Sequence, residues 1–172
     1  MKRRNALKSV ALGVGALAGL PAWANGWNRD TARQAAPLLS PRQDALLAEI
    51  AETIIPTTDT PGAKELGVHT FVQKMVADCY EPKAQAMFTK GLETLEATAQ
   101  RTLGKSFAAA DAAQRTELLK TTEANADTKA FFQMVKNLTI RGYLTSEYVM
   151  TNLTGFQMAP GYYKGCVPVK KS

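Results

Sequence analysis

From Ser40 onward, apolar residues return every third or fourth position, in blocks separated by proline or glycine. Leu46, Leu47, Ile50, Ala51 and Ile54 fall on one side of a helix at 3.6 residues per turn. Ser40-Pro41-Arg42-Gln43 supplies its start: a capping serine, a proline suited to the first helical position, and a glutamine that completes a capping box. Pro56 ends it. A second face follows in Val68, Phe71, Val72, Met75, Val76 and Cys79. Pro82 opens a third, with Met87, Phe88, Leu92, Leu95 and Leu103 before Gly104. A shorter helix opens at Asp111, with Gln114 three residues on and Leu118 and Leu119 facing inward. The last face holds Phe131, Phe132, Val135, Leu138 and Thr139 and stops near Gly142. No useful length of chain alternates in the manner of a strand. The pattern predicts an all-α fold, a single compact bundle of about five helices with a loop-rich C-terminal tail, over residues 40–172.

Between the first two faces lies Pro56-Thr57-Thr58-Asp59-Thr60-Pro61-Gly62-Ala63, which has turn chemistry and no periodicity. Pro56, Pro61 and Gly62 are expected to shape this loop rather than to touch a ligand. Residues 25–39 also lack periodicity and read as an extended N-terminal arm.

Residues 1–24 have the three-part layout of a secretory signal: basic residues, an apolar run from Val10 to Leu20, then Pro21-Ala22-Trp23-Ala24 with Ala22 and Ala24 in small-x-small spacing for cleavage. The run falls short of the ~20 residues that span a bilayer. Arg3-Arg4, followed by Leu7 and Lys8, resembles the twin-arginine export motif, although Ala6 stands where that motif carries a bulkier apolar residue. An ordinary secretory signal with two arginines is the alternative. The twin-arginine route carries folded proteins, so the expectation is a periplasmic protein that folds before export.

This segment also accounts for the charge. The net +6 includes Lys2, Arg3, Arg4 and Lys8; the other 17 basic residues face 15 acidic ones. That balance does not argue for nucleic acid or an anionic membrane surface.

Catalytic motifs are absent. His69 is the one histidine, and a lone histidine after a loop is more often a satisfied or surface residue than a ligand. No covalent-haem, zinc, phosphate-loop or nucleophile-elbow pattern occurs. Asp44, Glu49 and Glu52 read as solvated charge on the polar side of the first helix. Cys79 and Cys166 are the two cysteines, and in an oxidising compartment they are expected to pair, which would clip the tail to the second helix. The chain-entropy argument credits such a loop with ~4–5 kcal/mol. A bond from Cys166 to a partner subunit, or a buried free Cys79, are the alternatives.

Ile55-Pro56, Thr58-Asp59-Thr60-Pro61-Gly62-Ala63, Gly142-Tyr143-Leu144-Thr145-Ser146-Glu147 and Pro160-Gly161-Tyr162 together resemble the gluconate 2-dehydrogenase subunit 3 family. The resemblance implies a non-catalytic accessory subunit of a membrane-bound, FAD-dependent sugar or sugar-acid dehydrogenase. FAD would lie in a large flavoprotein subunit of the glucose-methanol-choline type, and haem c in a third, multihaem cytochrome subunit. The twin-arginine translocase would be a further partner, and membrane association would be indirect, through the complex. The tail aromatics Tyr143, Tyr148, Phe156, Tyr162 and Tyr163 are then candidates for the subunit interface, because aromatic rings bury large area at low entropic cost. Covering the end of the bundle is their competing role. A stand-alone periplasmic binding or scaffold protein is the rival reading, and an enzyme using His69 or Asp59 a weaker one.

Overall fold

The computed structural model describes residues 38–159 and Gly161. Five α-helices form the bundle: α1 (Pro41–Ile54), α2 (Val68–Cys79), α3 (Pro82–Leu103), α4 (Ala112–Ala124) and α5 (Ala126–Leu144). A 3-10 turn (Phe107–Ala109) precedes α4, and a π-turn (Val149–Leu153) follows α5. The described residues contain no strand. The all-helical bundle is the one that the periodicity predicts.

Helix limits follow from local chemistry. Ser40 and Gln43 form the expected capping box at α1, with Ser40 N–H donating to Gln43 Oε1 at 3.0 Å. Asp111 N–H donates to Gln114 Oε1 at 3.2 Å at the start of α4. Gly104, at φ 67°, closes α3 in the left-handed region that glycine enters without steric cost. Two further caps close the helices. Gln85 Nε2, on α3, donates to the carbonyls of Val76, Ala77 and Tyr80 at 3.0–3.2 Å, which satisfies the C-terminal end of α2. Asn125 alone joins α4 to α5: its N–H donates to Thr121 O and its Oδ1 accepts from Asp127 N–H at 3.0 Å.

The core draws on every helix. Leu47, Ile50, Val72, Val76, Phe88, Leu92, Leu95 and Val135 are buried, and Phe88 meets Phe131 edge to face at 5.8 Å. α5 is the central packing element, against α2 and α4 above all. Leu39 is also buried, so the folded unit includes residues just before α1.

The last helix ends at Leu144, near Gly142 as the spacing predicts, with the glycine inside its final turn. A Cβ at Gly142 would lie 2.6 Å from Phe71 Cδ1 and 3.0 Å from Val68 Cγ1, so the glycine permits close approach of α5 and α2. Phe107, in a segment without helical period, is fully buried and anchors the 3-10 turn. Cys79 is exposed at the last turn of α2 rather than facing the core, because the helix ends there.

Candidate functional site

The features that could act on another molecule cluster where α1 ends, the 56–63 loop turns and α5 ends. Glu52, in the last turn of α1, organises the loop. Its Oε1 accepts from Thr57 N–H at 2.9 Å and Thr57 Oγ1 at 2.8 Å, and its Oε2 from Lys64 N–H at 3.0 Å. Thr57 Oγ1 in turn accepts from Gly62 N–H at 3.1 Å. Any Cβ at Gly62 would meet Thr57 Oγ1 and Glu52 Oε2 at 2.5–2.6 Å, so the turn requires glycine. From the other side, Tyr143 Oη donates to Pro61 O at 3.1 Å. The loop is thus held between one carboxylate and one phenol. Pro56, Pro61 and Gly62 stand in this structured turn.

Glu49, one turn earlier, makes a second junction. It pairs with Lys64 Nζ at 2.6 Å and with Arg115 of α4. Arg115 also donates to the carbonyls of Ala110 and Ala108, and its guanidinium lies 5.9 Å from the centre of the Phe107 ring. One ion pair therefore ties α1, the 3-10 turn and α4 together.

These contacts correct the reading of Glu49 and Glu52 as solvated charge. Both are partly buried and bonded, because helix packing folds the loop and α4 over what would otherwise be a polar face. Asp44 is also partly buried, and its Oδ1 has no protein partner. Burial works to raise the Glu49 pKa, but the Lys64 hydrogen bond and the Arg115 and Lys64 charges outweigh it and hold the group below the ordinary glutamate value. Burial likewise opposes ionisation of Glu52. Its Thr57 and Lys64 backbone donors, the Thr57 hydroxyl and the Lys64 charge prevail, and its pKa is lowered too. Carboxylates held ionised in this way fix structure.

Past the loop, the tail changes character. Tyr143 and Tyr148 are partly buried, and the Tyr143 hydroxyl is bonded within the chain. Phe156 is 50% exposed. Ile140, Leu144, Leu153 and Met158 join it as exposed large apolar side chains, none of them singled out by the sequence. Ile140 and Leu144 could have been found as a pair four residues apart that lies off the core stripe of α5. Tyr162, Tyr163 and Cys166 lie outside the described residues, as do Arg3, Arg4, Leu7, Lys8, Ala22 and Ala24.

Elsewhere, a groove of about 530 Å³ runs beside the N-terminal end of α1 and the middle of α3, lined by Leu46, Leu92, Arg42, Glu93 and Glu96 among others. His69 is partly buried, with Nδ1 unpartnered. Among the described residues no three His, Cys, Asp or Glu side chains gather as a metal site, and no helix is long and apolar enough to cross a membrane.

A family model described as gluconate 2-dehydrogenase subunit 3 matches residues 41–161, starting from the first residue of α1. No curated protein and no solved structure matches the chain.

Proposed function

Because this chain belongs to the gluconate 2-dehydrogenase subunit 3 family, we propose that it is a non-catalytic accessory subunit of a periplasmic, membrane-associated, FAD-dependent dehydrogenase. It stabilises a large flavoprotein subunit of the glucose-methanol-choline type and escorts it through twin-arginine export. The observation that carries this reading is the set of exposed large apolar side chains at the end of α5 and in the segment after it, none of which the core cluster includes. Where such side chains form one contiguous patch, they mark an interaction site.

FAD belongs to the partner in this reading. Haem c, where the complex carries a cytochrome subunit, belongs to that third chain. Arg3 and Arg4 with Leu7 and Lys8 address the folded pair to the translocase, and cleavage follows Ala24. Cys79, exposed at the end of α2, is accessible to the pairing with Cys166 that an oxidising periplasm favours.

The test is capture of the tagged mature chain from the periplasm of its native host, with mass spectrometry and a visible spectrum. The expected result is a large co-purifying protein with flavin absorption in near-stoichiometric amount. Substituting Arg3→Lys and Arg4→Lys together is expected to leave both proteins in the cytoplasm; normal periplasmic dehydrogenase activity in that variant would sink the escort role. The groove beside α1 and α3 favours the second reading, a stand-alone binding or scaffold protein. A colourless monomer, captured from cells that make the flavoprotein, would establish that one instead.

A further inference from the structure

Residues 148–163, between Glu147 and Lys164, contain no Asp, Glu, Lys or Arg, in a chain of which 21% is charged. Within that run the structure divides sharply. Val149 is buried and fixes the start of the π-turn to the bundle, whereas every residue from 151 to 159 is exposed. Three of these are large and apolar: Leu153 at 53%, Phe156 at 50% and Met158 at 91% exposure.

The backbone of this segment is organised by its own bonds. Thr154 N–H donates to Val149 O at 3.0 Å and Phe156 N–H to Met150 O at 2.8 Å, with Gly155 at φ 62° making the reversal between them. Thr151 Oγ1 donates to Glu147 O, Asn152 Nδ2 to Tyr148 O and Thr154 Oγ1 to Met150 O. Each of these bonds closes on a residue within six positions, so local bonds, together with the buried Val149, give residues 149–156 their shape. A pre-shaped segment loses less conformational freedom when it is buried by a partner.

We propose that residues 150–159 are a docking arm, buried in an uncharged concave surface of the flavoprotein subunit and carrying the principal contact between the two chains. The inference rests on the subunit reading above and adds which segment binds and what it binds to. An uncharged arm rewards an uncharged receptor, since a charged wall facing Leu153, Phe156 and Met158 would be desolvated with nothing to pair it. The groove of a second copy of this chain is lined in part by Arg42, Glu93 and Glu96, and so is not the uncharged receptor the arm calls for. Met158, flexible and polarisable, suits an irregular pocket.

The test compares the native full-length chain with two variants, each tagged and captured from the native host. One carries Leu153→Ser, Phe156→Ser and Met158→Ser; the other carries Ile140→Ser and Leu144→Ser, on the face of α5. The readouts are flavin absorption per tagged chain and the thermal transition of the isolated protein. The arm variant is expected to lose more than about tenfold of its captured flavin, as buried anchor residues do, with an unchanged thermal transition. Full capture by the arm variant would overturn the proposal, the more plainly if the α5 variant fails to capture and so moves the contact to the helix face. If the native chain itself captures no flavoprotein, the subunit reading falls, and the arm's assignment with it.

Discussion

At the scale of single residues, the decisive groups are Glu49 and Glu52, which a reading of the polar helix face would dismiss, and Tyr143. Glu49 and Glu52 titrate lower in the folded chain than in the unfolded one. In that interval the unfolded chain binds more protons, so their contribution to stability is complete above the ordinary glutamate value of 4.5 and is lost as pH falls through the lower folded values. Thermal melts across an acid series are expected to show the transition temperature falling below that range, and the fall is expected to be shallower in Glu49→Gln and in Glu52→Gln. Glu49→Ala leaves Arg115 without its carboxylate, and is expected to cost about 1–3 kcal/mol in denaturant unfolding. Tyr143→Phe removes one hydroxyl, which donates to Pro61 O. It is expected to cost about 0.5–1.5 kcal/mol and to speed hydrogen exchange at Gly62 and Ala63 relative to α3. An unchanged exchange pattern would mean that the phenol does not hold the loop.

At the scale of elements, helix existence was legible and helix contact was not. Each helix is announced by apolar spacing and by its caps, because both arise within one or two turns of chain. The approach of α5 to α2 depends on Gly142, and a glycine in the sequence reads equally well as a stop. Gly142→Ala puts a methyl group against Phe71, and overpacking of this kind is expected to cost about 1–3 kcal/mol by denaturant unfolding. Stabilisation, as expected for alanine in a free helix, would instead show that α2 and α5 can part. Gln85 is similar in kind. Its side chain closes α2 from the next helix, so its role becomes visible only once α2 and α3 are folded against each other. Gln85→Ala is expected to cost about 1 kcal/mol, with exchange protection lost at the C-terminal end of α2.

At the scale of the whole molecule, the folded unit from Leu38 holds a continuous core of its own. A chain starting at Leu38 is expected to unfold in a single cooperative transition, seen alike by circular dichroism and calorimetry, and to show no flavin absorption. Two separated transitions would contradict one shared core. A protein of this kind can be folded before it meets a translocase, which fits the export route proposed from Arg3 and Arg4. Among the described residues, its exposed large apolar side chains lie at the end of α5 and in the segment that follows.

The sequence by itself determined the all-helical class, the capping boxes of α1 and α4, the inward Leu118 and Leu119, and the turn character of 56–63. These depend on residues a few positions apart, and local spacing and hydrogen bonding are enough to specify them. It also carried the family, through the Thr-Asp-x-Pro-Gly-Ala loop and the Gly-Tyr-x-Thr-Ser-Glu segment. The tertiary structure alone decided that Glu49 and Glu52 are fasteners, that Phe107 is core, that Cys79 faces solvent and that Tyr143 is engaged within the chain. The longest-range of these outcomes are set by residues tens of positions away, as Arg115 is from Glu49 and Pro61 from Tyr143. Burial and partnership belong to the packed bundle, and no window along the chain contains both members of such a pair.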